Sequence, residues 1–382
     1  MVRMWPRMLL AAVAVAALGQ DLPRGQIVDG VKCLSDASQT YSIYLPSNYS
    51  ADREWNLILA FDPRGRGRAP LEQYKDAAEK YGYIVAGSNN ARNGPPEISL
   101  TAAAVMGSDV VHRYKINMKR VYTAGLSGGA RIAMKVAMDS NEMAGVIASS
   151  AGFPPGERSS TLSFAVFGTA GTEDFNYLEM RQLDEELSSP HRIVVFQGGH
   201  EWLPSSLATQ AVEWLEIQAM KSGSAPRDEK LLQKVFDARS AEVAAQKTEL
   251  ATFDAAGAMV RDFEGLRDVS KFAAEVQTLQ AKKTVLDALN KQHADEHFEA
   301  QLESELMDLQ EGLEDGGEAR TASLSQLKDR LTKLSQQAAG SEDTPERRMA
   351  RRLLGGVFVD SRAVPDQEYQ KFVDSLRQPA RN

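Results

Sequence analysis

One pentapeptide, Gly125-Leu126-Ser127-Gly128-Gly129, constrains this chain more than any other stretch. Before it, Arg120-Val121-Tyr122-Thr123-Ala124 are β-branched and apolar enough for a buried strand. After it, Ala130 to Met138 suit a helix. A strand that hands over directly to a helix must turn tightly. The residue at the apex is then strained, and a Cβ on either flank would crowd its neighbours. Glycine removes that clash and leaves the serine oxygen exposed at the strand end. The pattern therefore predicts a presented hydroxyl on an α/β scaffold.

The surrounding sequence supports that scaffold. Short apolar strands are expected at Tyr41–Leu45, Leu57–Phe61, Tyr83–Ala86, Val121–Ala124, Gly145–Ser149, Phe164–Phe167 and Ile193–Phe196. Between them lie helical stretches at Leu71–Tyr81, Ser99–Tyr114, Ala130–Met138 and Tyr177–Leu187, and Ser205–Met220 closes the unit. Repeated strand-helix-strand units favour a doubly wound, mostly parallel sheet, because parallel neighbours need a crossover helix. The α/β domain is expected over residues 20–220.

At 382 residues two domains are the natural expectation. Residues 221–227 begin Lys-Ser-Gly-Ser-Ala-Pro, a polar linker, and from residue 228 to 378 strand patterns vanish. Apolar residues there recur at helical spacing: Phe272, Val276, Leu279, Leu286 and Leu289, then Phe298, Leu302, Leu306, Leu309 and Leu313. Leu324, Leu327, Leu331 and Leu334 resume the seam after Gly316-Gly317. This second half reads as a separate all-α domain, a helical array or short coiled coil, whose surface could meet a protein partner.

Residues 1–19 read differently. Arg3 and Arg7 precede an apolar run from Met8 to Leu18, with small residues at Ala16, Ala17 and Gly19. That is a secretory leader too short to span a bilayer comfortably, so the mature chain is expected to be secreted or periplasmic, without stable membrane insertion. Cys33 is the sole cysteine, so no internal disulfide forms. A formal net charge of −8 argues against nucleic-acid binding, which needs a concentrated basic surface.

A serine hydroxyl is a poor nucleophile at neutral pH. It needs a base, and the base needs an orienting carboxylate. Two histidines of the α/β half follow Ser127. His191 opens the last strand at the amino edge, whereas His200 follows that strand in Gly198-Gly199-His200-Glu201-Trp202. Catalytic groups in open α/β sheets gather at the carboxyl edge, which selects His200. The acid is expected just beyond Phe164–Phe167, where Glu173 and Asp174 compete; Asp174 is preferred as the shorter side chain.

An oxyanion hole needs two backbone N–H groups. Gly128 supplies one. The other is expected from the loop Asp62-Pro63-Arg64-Gly65-Arg66-Gly67, where Pro63 has no N–H and Arg64 comes next, followed by Gly65. Loops at the same edge, Ser88–Pro96 and the residues near Trp202, would line the pocket, with Asn89, Asn90 and Trp202 as substrate contacts. Their mix of amides and rings suits a small or medium polar ester.

Taken together, Tyr44-Leu45-Pro46, the Asp62–Gly67 loop, the Gly-Leu-Ser-Gly-Gly turn, the Thr172–Tyr177 loop and Gly-Gly-His-Glu-Trp resemble the α/β-hydrolase superfamily over about residues 35–218. Its compact secreted esterases, of dienelactone-hydrolase-like and polyhydroxybutyrate-depolymerase-like type, are most similar. In that superfamily the turn is the nucleophile elbow and the chain order is serine, acid, histidine. The resemblance implies a Ser127, Asp174 and His200 triad, an acyl-enzyme mechanism, a carboxylic ester substrate and no cofactor. Asp-Pro-Arg-Gly departs from the family's His-Gly-Gly, and the acid loop is longer than its usual Gly-x-x-Asp. A serine peptidase on the same triad, or a binding protein using the helical half, are the alternatives. His293-Ala294-Asp295-Glu296-His297 places two histidines one helical turn apart, but an ordinary charged helix face is the preferred reading and no metal is expected.

Overall fold

The structure, a computed structural model, describes residues 22–140 and 142–377. The expected leader lies outside the described residues. The strands are β1 (Ile27–Lys32), β2 (Thr40–Tyr44), β3 (Trp55–Phe61), β4 (Tyr83–Ser88), β5 (Ile116–Leu126), β6 (Gly145–Ser149), β7 (Ala165–Gly171) and β8 (His191–Phe196). They form one sheet in the order β1-β2-β4-β3-β5-β6-β7-β8. β1 and β2 pair antiparallel, as do β2 and β4. From β4 through β3, β5 and β6 to β7 every pairing is parallel. Strands β4, β6 and β7 are buried along their whole length. That is why they read as unbroken apolar runs, both faces being covered.

The helices of this part are α1 (Arg68–Tyr81), α2 (Pro96–Arg113), α3 (Gly128–Ser140), α4 (Tyr177–Glu186) and α5 (Ser205–Ser222). α1 packs on α5 and α2 on α3, the doubly wound arrangement. All seven expected strands and five helices form at or near the expected positions. β1 was not expected. Its sequence, Ile-Val-Asp-Gly-Val-Lys, is half polar because an edge strand buries little, and only Val31 is fully covered.

Seven further helices follow: α6 (Glu229–Ala244), α7 (Glu249–Phe263), α8 (Ser270–Gln280), α9 (Lys283–Glu311), α10 (Gly317–Ala338), α11 (Pro345–Asp360) and α12 (Gln367–Arg377). Several starts are sequence-encoded caps. Asp228 accepts the N–H groups of Lys230 and Leu231, and Thr344 accepts that of Arg347, with Pro345 in the first turn.

The chain divides into two compact units: residues 1–169, 179–194 and 201–277, and residues 170–178, 195–200 and 278–382. In the first, α6 and α7 join the sheet part through a cluster that includes Ile217, Met220, Leu232, Val235, Met259 and Phe263. Trp214 donates its indole N–H to Asp262 at 2.7 Å, and Arg192 pairs with the same carboxylate. The expected linker forms the connection between α5 and α6, while the division between units falls inside α8.

In the second unit, Leu306, Leu313, Leu324, Leu327, Leu331 and Leu334 bury against Leu353, Leu354, Val357 and Tyr369. Leu286 and Phe298 of the expected seam are instead 48% and 52% exposed. The leucine cluster of α10 and α11 engages only the later part of α9, from Leu302 onward, which leaves Leu286 and Phe298 in solvent although Val285 in the first turn is buried. Among the described residues, no helix is long and apolar enough to cross a membrane.

Candidate active site

The chain moves from β3 to β4 on one side and then crosses to β5 on the other. β3 and β5 therefore flank a topological switch point, where open α/β sheets bind ligands beyond the strands' carboxyl ends. Phe61 pairs with Gly125, so the loop after β3 and the turn after β5 leave the sheet side by side. Ser127 sits at that turn with φ +55°, left-handed backbone that a serine adopts only under constraint. The constraint is steric. A Cβ on Gly125 would lie 2.1 Å from the Gly129 carbonyl oxygen, and one on Gly129 would lie 2.0 Å from that of Phe61. The Ser127 N–H donates to the Ser149 carbonyl at 2.8 Å, tying the apex to β6. α3 begins at Gly128, so its first N–H groups have no partner within the helix.

In the second unit, the segments after β7 and β8 are knitted together by backbone. The Thr172 and Glu173 N–H groups donate to the Phe196 and Gly198 carbonyls at 2.8 and 2.9 Å. A Cβ on Gly171 would meet the Gly198 and Gly199 oxygens at 2.4 Å, so only glycine allows this approach. Asp174 is fully buried, and its Oδ1 lies 2.7 Å from His200 Nδ1. That bond orients the imidazole through its Nδ1 edge. The Phe175 ring stacks on the imidazole, centroids 3.9 Å apart and planes at 24°. Glu173 turns to Arg351 instead, with both carboxylate oxygens 2.8 Å from Nη1. Of the two candidate acids, it is Asp174 that meets the histidine.

The strand order, the elbow and the serine, acid, histidine sequence together decide the architecture. This is the α/β-hydrolase fold. No described protein family and no curated relative matches the sequence. Among solved structures the chain is similar to Est1E from Butyrivibrio proteoclasticus, with 13% identity over 50% of this chain and 99% of that one, at TM-score 0.39. It is also similar to the Bacillus cereus carboxylesterase, with 16% identity over 48% of this chain and 96% of that one, at TM-score 0.39. Porphyromonas gingivalis dipeptidyl peptidase 4 matches at 14% identity over 50% of this chain and 35% of that one, at TM-score 0.37.

Around the hydrolase elbow, the loop after β3 differs from expectation. The Arg64 N–H donates to Asp62 Oδ1 at 2.9 Å and the Gly65 N–H to the Asp62 carbonyl at 3.0 Å. Both expected donors are thus engaged inside their own turn, and Arg64 is not a free oxyanion donor here. Asp62, which sequence reasoning passed over, organises the loop. Its buried carboxylate also accepts from Arg66 Nε at 2.9 Å and Nη2 at 2.8 Å, and from Trp202 Nε1 at 2.9 Å. Burial pushes this carboxyl up, but the bonds from Arg66, Trp202 and Arg64 outweigh it and hold it below the ordinary range. Asp before Pro-Arg-Gly is an Asx-turn signal, so the role was readable.

The expected substrate contacts change in the same way. Asn89 Oδ1 accepts the Gly67 N–H at 3.1 Å, and its Nδ2 donates to Thr40 Oγ1 at 3.2 Å. Asn90 Oδ1 accepts the Thr40 N–H, and its Nδ2 donates to the Ser38 carbonyl. Both amides fasten the loop to the strand region rather than facing a substrate, and the Trp202 indole N–H is taken by Asp62. Asn93 is the amide left beside the elbow: a Cβ on Gly128 would lie 2.0 Å from its Oδ1. A cavity of about 1120 Å³ in this unit opens elsewhere. It is lined by Met118, Lys119, Ala144, Phe164 and Pro190 at the amino edge, with His112 on its wall. His191 binds the Ser189 carbonyl at 2.7 Å, away from the elbow. His297 Nε2 lies 3.3 Å from the Gln301 amide, and no group of three or more potential ligands among the described residues is placed to hold a metal ion.

Proposed function

We propose that this chain is a serine hydrolase that cleaves a small carboxylic ester through an acyl-enzyme. The observation that carries the reading is Ser127, fixed at φ +55° at the switch point of the sheet, in a chain whose buried Asp174 orients His200. In the reaction, Ser127 Oγ attacks the carbonyl carbon while His200 Nε2 takes the hydroxyl proton. The oxyanion that forms is held by the Gly128 N–H at the start of α3. Collapse breaks the ester C–O bond, and His200 returns the proton to the leaving alcohol. Water, deprotonated by the same imidazole, then releases the acid. The leader pattern of residues 1–19 supports export of the mature enzyme.

Hydrolysis of short p-nitrophenyl esters, compared with peptide p-nitroanilides, tests this reading. Wild type turns over esters, and Ser127→Ala and His200→Ala lose about 10³-fold or more while remaining folded. Ester turnover retained by Ser127→Ala contradicts the mechanism; cleavage of anilides alone moves the substrate class to peptides.

A further inference from the structure

The triad reading assigns nothing to the arginine cluster of α11, yet those side chains converge on the loop that carries the acid. Arg351 Nη1 binds Glu173, and its Nε donates to the Ala338 carbonyl at 3.0 Å. Arg347 approaches Glu173 at 3.6 Å. Arg352 donates from Nη1 to the Thr172 carbonyl at 2.7 Å, pairs through Nε with the buried Glu299 at 2.6 Å, and lies 4.4 Å above the Tyr177 ring. One turn on, Gly355 and Gly356 leave space for Phe175: a Cβ on Gly355 would be 3.4 Å from its ring and 3.5 Å from its Cβ. Phe175 in turn is the ring stacked on His200.

Every residue from Thr172 to Tyr177 except Asp174 and Asn176 is therefore held by α11, and Asp174 and Phe175 hold the imidazole from its edge and its face. We propose that α11 is a positioning element for the acid–base pair, with Arg351, Arg352 and Phe175 as positioning residues. The helical half then serves catalysis by fixing the plane and tilt of His200. The inference rests on the serine-hydrolase reading and deepens it. It also accounts for a basic cluster that faces carboxylates of its own chain rather than solvent.

The test is the rate of labelling of the full chain by a fluorophosphonate probe, measured against probe concentration. Arg352→Met strands the Glu299 carboxylate and threatens folding, so Phe175→Leu, Phe175→Tyr and Arg351→Met carry the experiment. The saturating rate is expected to fall about tenfold or more in Phe175→Leu and several-fold in Arg351→Met, since small misplacements of a catalytic group cost up to about a hundredfold. The half-saturating concentration and the final labelled fraction stay at wild-type values, and Phe175→Tyr retains the wild-type rate. A loss of labelled fraction at unchanged rate, or wild-type rates in all three variants, overturns the positioning role while leaving the triad intact. Failure of folded wild type to label overturns the hydrolase reading, and this inference with it.

Discussion

The turn around Ser127 and the loop around Asp174 are both tight, yet different forces hold them. The elbow is a matter of backbone sterics: Gly125 and Gly129 each face a carbonyl oxygen at a distance no Cβ tolerates, and Ser127 is left at positive φ. The acid loop shares some of this, with Gly171 against the Gly198 and Gly199 oxygens, but side chains hold it as well: Arg351 on Glu173, Arg352 on the Thr172 carbonyl and Phe175 over Gly355. Steric constraint is local and writes itself as a motif. Ion pairing reaches across 178 residues of sequence, as between Arg351 and Glu173, and leaves no local pattern.

Substitutions sharpen this contrast, starting with the largest change in stability. Arg352→Met leaves Glu299 buried and unpaired, since the two side chains are only 12% and 5% exposed. A loss of about 3–5 kcal/mol by urea unfolding is expected, with much of it recovered in Arg352→Met/Glu299→Leu; equal losses in both proteins would mean the pair matters by its packing alone. Gly129→Ala forces a methyl against the Phe61 carbonyl and should cost about 3 kcal/mol, whereas wild-type stability would show that the elbow relaxes freely.

Asp62→Asn removes the charge that anchors Arg66 and Trp202 and should cost about 2 kcal/mol at pH 7. Because the folded carboxyl is held low, its contribution is present above the ordinary carboxylate pKa and is lost as pH falls through the folded value. Thermal unfolding against pH should therefore show a shallower acid limb in Asp62→Asn, and parallel limbs would contradict the anchoring role. The smallest effect belongs to Lys333→Ala. Its pair with Asp329 is 71% and 63% exposed, so the change stays within about 0.5 kcal/mol by the same unfolding assay.

What was legible follows the same division. The strands, their crossover helices and the elbow were readable because buried parallel strands are apolar runs and the elbow needs glycines at fixed spacing. His200 was selected by elimination and Asp174 over Glu173 by side-chain length, and those two side chains meet in the structure. Arg64 was misjudged because its sequence context showed that an N–H existed but not that the preceding carboxylate would engage it. Asn89 and Asn90 look like pocket amides in sequence, yet each has both polar atoms bound to neighbouring loops. Leu286 and Phe298 fit a helical seam, but whether a seam is covered depends on how far the later helices reach along α9.

The central claim is that Ser127 is an activated nucleophile. Its most direct measurement is peptide mapping by mass spectrometry after reaction of the leader-free protein with a fluorophosphonate. A single adduct on the peptide containing Gly125-Leu126-Ser127-Gly128-Gly129, absent from Ser127→Ala and from His200→Ala, is the predicted result. An unmodified folded protein, or an adduct on another residue, would contradict it.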